Sequence, residues 1–379
     1  MHLIGRRIAG AAVGLVLVAG LAGSAADAGN RLGPCLSTGP VDTVDQLDSL
    51  VHDTLSTPEF EGGDVGTSIE LSDGRQLFAF ADTLRRNAAG NLDRVHNSML
   101  VLDGHCMHVV RTPGDGPVIP DVAAYAGYWP MSMTLLRRDG DTDVIGVSAQ
   151  RVRTRSTSLD DGLFAFDIVG SSAAVFEVPR GESPRLVALR DLDDDVVDPS
   201  RPVWGAATAS GDGWLYLYGT ARGTDPFEGF SLRVARTRPA DFLDPARREY
   251  WNGRTWSPDA ADAAELLPSD GGVSQTLSVF PDAGRWFALS KRDDMLGTDL
   301  TLWAAPSPTG PFVVDDVAGK LISEAGTGTL RYMPLAHPDL LPEPGTMVIS
   351  YCTNNLSFGV VVNDPHQYRP RFLRIPLPS

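Results

Sequence analysis

Five times along the chain an apolar or small-residue run enters a glycine-bearing turn and re-emerges as a strongly apolar run ending on a polar residue. The copies are residues 67–74 into 76–82, 133–136 through Gly140 into 144–147, 206–213 into 214–218, 277–280 through Gly284 into 286–289, and 337–341 through Gly345 into 347–351. Period-two alternation or a short continuous apolar run bounded by turn residues is the pattern of a buried strand, and a tight hairpin favours glycine where φ must be positive. The turn glycines Gly74, Gly140, Gly213, Gly284 and Gly345 lie 61 to 73 residues apart. Regular recurrence at that spacing predicts a repeat architecture. Further apolar runs at 98–102, 163–168, 231–235 and 300–304 bring each repeat to about four strands, the content of a propeller blade.

The expected fold is therefore all-β: a five-bladed β-propeller forming one domain over residues 29–379, with blades near 57–115, 125–195, 200–258, 270–325 and 330–379. A pair of β-sandwiches with accidental spacing is the alternative topology. The fifth blade looks one strand short after residues 372–377, so a strand from the N-terminal stretch 35–55 is expected to close the ring. Helix is scarce; the best candidate is 259–267, entered through Ser257 and Pro258. Composition agrees, since 39 Gly and 28 Pro in 379 residues mean many turns and no long helices.

Arg6 and Arg7 precede the apolar run 8–21 and small residues ending in Ala26-Asp27-Ala28, which reads as a signal peptide over 1–28. Secretion, to the medium or the cell wall, follows as an expectation, with no membrane contact once the segment is removed. A retained anchor is the alternative. Export makes cysteines disulfide candidates. Of Cys35, Cys106 and Cys352, the expected pair is Cys35–Cys106, with Cys352 a buried thiol in the strand 348–352, although spacing alone leaves the pairing open. A formal charge of −16 excludes nucleic acid as a partner. The chain is expected to be a monomer.

In a propeller the start of each inner strand and the end of its partner emerge on one face. Those positions hold Asp64 and Asp82; Trp129, Gln150 and Arg151; Trp204 and Arg222; Gln275, Lys291 and Asp293; His337 and Asn354. Indole faces stack on sugar rings while carboxylates and amides bond hydroxyls, so the set suits a carbohydrate. Asp64, between glycines, is a candidate base or nucleophile, or else a turn Asp bonding its own backbone. Asp82 ends the partner strand and is its candidate catalytic partner. Trp129, Trp204, Gln275, Asp293, His337 and Asn354 are candidate substrate contacts. Lys291 and Arg292 beside Asp293 and Asp294 would lower a carboxyl's pKa there. His337 is also a candidate holder of a channel ion, calcium being the one considered; no metal site is assigned. The acidic run 191–195 lacks the Gly and Glu of a calcium loop and reads as a solvated loop.

The segment 63–83 resembles the opening blade of a largely uncharacterised family of secreted five-bladed propellers. Tyr128-Trp129-Pro130, residues 203–207, residues 249–256 and Ala336-His337-Pro338-Asp339-Leu340, leading to Ser350-Tyr351, follow the same pattern in order. That family is similar to the glycoside hydrolase family 43 superfamily and to endo-D-arabinofuranosidases that cut cell-wall arabinan. The resemblance implies a hydrolase acting on furanosides in a cell-wall or environmental polysaccharide. Family 43 enzymes carry an Asp base, a second Asp and a Glu acid at the inner-strand starts of blades one to three. Only Asp64 matches, because the other two positions are Tyr128-Trp129 and Trp204-Gly205, which leaves the proton donor without a counterpart. Asp82 is the remaining carboxylate of the motif. The competing expectation is a non-catalytic carbohydrate-binding propeller that uses the same aromatics and amides.

Overall fold

The computed structural model describes residues 29–36, 39–55, 57–155, 164–225 and 227–378. The segment 1–28 read as a signal peptide lies outside them. Each repeat forms an antiparallel sheet. From the inside outward, blade one is Gly62–Glu70, Gln76–Arg86, Ser98–Asp103 and Cys106–Arg111, with Leu92–Val95 on the upper end of its second strand. Blade two is Ala126–Asp139, Thr142–Thr154, Phe166–Pro179 and Arg185–Asp191, and blade three is Val203–Gly211, Trp214–Arg222, Phe230–Thr237, Glu249–Trp251 and Trp256–Ser257. Blade four is Ser278–Asp282, Arg285–Lys291, Asp299–Ala305 and Val313–Lys320; blade five has three strands, Thr329–His337, Thr346–Asn355 and Arg371–Pro376. Inner strands touch in cyclic order, including the first against the fifth, so the sheets close into a five-bladed propeller. All five predicted turn glycines have positive φ, between 59° and 87°.

The core explains why the inner strands read as continuous apolar runs: each sheet is covered on both faces by its neighbours. The five largest apolar clusters are the five seams between blades. Leu77, Val101, Ile145 and Phe176 pack between blades one and two; Val144, Leu215 and Phe242 between two and three; Tyr216, Val234, Trp286 and Trp303 between three and four; Phe287, Leu302 and Ile349 between four and five.

The fifth seam closes differently from expectation. Among the described residues, no N-terminal strand joins blade five. Arg31–Leu32 instead pairs with Cys106–Arg111 on the outer edge of blade one, where the Cys35–Cys106 disulfide also holds the segment. The seam is filled by the helix Val44–Asp48 and the wider helical turn Ser49–Thr54, which put Leu47, Leu50 and Val51 against Phe78, Val348 and Phe372. Thr43 and Gln46 form a reciprocal capping box, the local reason this stretch is helical. Asp48 accepts from the Phe372 backbone N–H and from Arg371, satisfying the free edge of blade five with a side chain.

Three further expectations fail. The segment 259–267 makes only the short turn Ala260–Asp262, capped by Asp259, because Leu266 and Leu267 bond to Leu232 in blade three and Leu267 is buried there. The first strand of hairpin five is Thr329–His337, so residues 338–345 form the turn and not a strand. The acidic run 191–195 is not simply solvated: Asp191, Asp193 and Asp195 surround the buried guanidinium of Arg151, at 3.6, 3.1 and 2.8 Å. No helix among the described residues is long and apolar enough to cross a membrane.

Candidate active site

Bulges near the mouth of the ring aim the functional side chains. Register shifts interrupt the inner strands at Gly63/Val65, Pro130/Ser132, Trp204/Ala207 and Tyr332/Leu335, in blades one, two, three and five. An extra residue at a bulge bends the strand and redirects its side chain. In blade one the partner strand carries the extra residue at the first shift, so that Asp64 lies opposite two residues, Ala81 and Asp82, and Gly66 is the extra residue of the inner strand at a second shift. The two residues after Asp64, Val65 and Gly66, both have positive φ, at 67° and 68°. This conformation is strained for a β-branched residue. It is held by Cys352, a buried thiol whose Sγ accepts the Val65 N–H at 3.1 Å.

Asp64 and Asp82 line one cavity of about 970 Å³, counted with its open mouth. Its wall also includes Arg94, Trp129, Gln150, Phe166, Gln275, Met295, Tyr332, Asn354 and Tyr368. The two carboxyls have different surroundings. Asp64 Oδ2 accepts from Tyr332 Oη at 2.9 Å, whereas its buried Oδ1 has no hydrogen-bond partner among the described residues. Burial, helped by the charge of Asp82, pushes Asp64 up to about 7, against the pull of the Tyr332 and Tyr368 hydroxyls. Both tyrosines are buried and driven well above their ordinary value, so they stay protonated donors. Asp82 is also raised by burial, but it is opposed by a cation and a donor: Arg94 lies 3.3 Å from Oδ2, and Trp129 Nε1 donates to Oδ1 at 2.7 Å.

The expected substrate contacts divide. Trp129 lines the cavity with its ring edge-on to Phe166, at 4.6 Å, and its N–H on Asp82, so its first task is to hold the carboxylate. Gln275 lines the wall and donates to Gln150 at 2.9 Å; Asn354 lies beside the Tyr332 hydroxyl. Trp204 does not reach the cavity. Gly205, at φ 96°, turns the strand, and the indole packs across its own blade onto Gly219 and Tyr250. Asp293 also lies outside the cavity; it accepts from the Gly271 N–H and faces a neighbouring groove. Beside it, burial raises the Asp294 pKa despite the Arg222 guanidinium at 3.1 Å, contrary to a simple count of nearby cations.

His337 is at the opposite end of its strand from the cavity, since the strand begins at Thr329. Its two ring nitrogens bond Ser68 Oγ at 2.6 Å and Ser350 Oγ at 2.8 Å, and burial lowers its pKa to about 3, leaving a neutral structural imidazole. No group of three or more His, Cys, Asp or Glu that could hold a metal occurs among the described residues.

Five of these wall residues, Arg94, Phe166, Met295, Tyr332 and Tyr368, escape sequence reasoning. Tyr332 is lost through the misplaced start of hairpin five. Tyr368 comes from a short helical turn after Phe358–Asn363 that carries no repeat signal.

The sequence model of the family described as Domain of unknown function (DUF5005) matches residues 53–376. No curated protein matches the chain. Among solved structures, a Bacteroides ovatus protein provisionally described as a hydrolase is 19% identical, with a TM-score of 0.61 over 87% of this chain and 88% of that one. The GH43_1 enzyme of Xanthomonas citri gives a TM-score of 0.46 at 15% identity, over 85% and 90% of the two chains. The Podospora anserina α-L-arabinofuranosidase PaAbf62A, solved with cellotriose, gives 0.42 at 11%, over 93% and 98%. At these identities the likeness is one of fold.

Proposed function

The chain belongs to the family described as Domain of unknown function (DUF5005), and from the chemistry of its cavity we propose that it is a secreted glycoside hydrolase acting on furanoside, arabinan-type linkages of a polysaccharide. The observation that carries this reading is a pair of carboxyls lining one cavity in contrasting surroundings. Glycosidic cleavage needs one carboxyl that keeps a proton for the leaving oxygen and one that is ionised while positive charge develops on the sugar ring. Asp64, without a cationic partner and with one oxygen unengaged among the described residues, suits the donor; Asp82, beside Arg94 and Trp129, suits the carboxylate. Sequence reasoning assigned Asp64 the role of base or nucleophile, and its surroundings favour that of the acid. Trp129 and Phe166 offer apolar edges for a sugar ring, and Gln150, Gln275 and Asn354 offer donors and acceptors for its hydroxyls. The furanoside preference comes from the family resemblance of residues 63–83. Export is supported by the N-terminal apolar segment and by the Cys35–Cys106 bridge, a bond that persists in oxidising compartments.

The test is incubation of the mature chain with arabinan and arabinogalactan, reading released sugars. Wild type is expected to release them, while Asp64→Asn and Asp82→Asn each lose about 100-fold or more and still bind the glycan. The rate is expected to fall as pH rises through about 7, as Asp64 gives up its proton. A rate that instead rises through that range would make Asp64 the base. Glycan binding by wild type without any product would make the protein the non-catalytic carbohydrate-binding propeller.

A further inference from the structure

A second concavity lies one residue along the chain from the cavity wall. Met295 lines the cavity, and the next residue, Leu296, lines a separate open groove of about 740 Å³ together with Phe227, Arg292, Asp293 and Thr298. Phe227 is 72% exposed and Leu296 60%, both large apolar side chains facing water. Grouped exposed apolar side chains rimmed by polar ones mark a binding surface. The loop between groove and cavity is pinned from below. Buried Lys291 donates through Nζ to the carbonyls of Met295 and Arg331, and Gly297 N–H bonds Asp293 O. Arg292 Nε lies 4.0 Å from Asp293 Oδ2, so the groove presents a cation and an anion together, and the chain's −16 charge disfavours acidic polymers. These features suit an uncharged chain with apolar ring faces.

We propose that this groove is a distal subsite for a neutral polysaccharide, whose units beyond the cleaved linkage lie on Phe227 and Leu296 while the linkage itself sits over Asp64 and Asp82. The proposal rests on the hydrolase reading and makes the substrate a chain of several units. Phe227→Ala and Leu296→Ser are tested against linear arabinan and against an aryl arabinofuranoside that occupies the cavity alone, and polymer affinity is read by binding to the Asp64→Asn protein with and without Phe227→Ala. Loss of one ring platform is expected to cost about fivefold to tenfold in kcat/KM and in affinity for the polymer, with the small substrate unchanged within about twofold. Equal losses on both substrates, or an unchanged polymer rate and affinity, would overturn the groove while leaving the hydrolase reading intact. A wild-type protein that neither binds nor cleaves either substrate would overturn that reading and the groove with it.

Discussion

Asp64 is the residue at which local sequence and tertiary environment diverge most. Its neighbours Gly63 and Gly66 mark a bulge in a strand, and the bulge is what the structure contains. Its protonation, however, depends on burial and on the charge of Asp82, set against the hydroxyls of Tyr332 and Tyr368, about 270 and 300 positions further along the chain. That dependence predicts a stability effect of definite sign. The folded-state pKa, about 7, exceeds the usual 3.8, so between roughly pH 4 and 7 the folded protein binds a proton that the unfolded chain has released. Asp64 therefore supports the fold fully below about pH 4, and that support is lost as pH rises through about 7. Asp64→Asn is expected to remove the pH-dependent cost and to gain on the order of 1 to 3 kcal/mol relative to wild type at pH 8, with little difference at pH 4, because the cavity mouth admits some screening water. Urea unfolding of both proteins at the two pH values checks this; a variant equally or less stable at pH 8 would contradict the buried-carboxyl account.

The inner strand is the element that builds the site. Strand identity and hairpin turns were legible because both rest on local rules: two-residue periodicity for the strand and positive φ at the glycine. Bulges were less legible, since a register shift is a relation between two strands. Gly205 is the clearest example. Its φ of 96° suits glycine, and a Cβ there would collide with the Ser148 side chain of blade two. Gly205→Ala is expected to destabilise the fold by about 2 to 4 kcal/mol, combining backbone strain with overpacking at the seam between blades two and three. Thermal unfolding measures it, and a loss below about 0.5 kcal/mol would mean that the bulge relaxes. Hairpin five shows the opposite failure. Residues 338–341 have a strand-like composition, yet they occupy the turn, and this shift of one whole strand moved His337 from the cavity to the far end of the ring and hid Tyr332.

At the scale of the whole ring, the last joint is made by a helix and by Asp48 where a strand was expected. Leu47, fully buried between blades one and five, is its centre. Leu47→Ala is expected to cost about 2 to 5 kcal/mol, and because every seam shares in closing the ring, unfolding monitored by tryptophan fluorescence should shift together with far-ultraviolet circular dichroism. An early, separate loss of one signal would mean that the seam opens alone. The sequence by itself determined the number of blades, the turn that starts each hairpin, the apolar faces that form the seams and the hairpin carrying Asp64 and Asp82, because periodicity and turn chemistry act over a few neighbouring residues. Tertiary structure alone decided how the ring closes, which candidates reach the cavity and which of two carboxyls holds its proton. Those outcomes depend on desolvation and on partners brought together from opposite ends of the chain, and no local pattern encodes them.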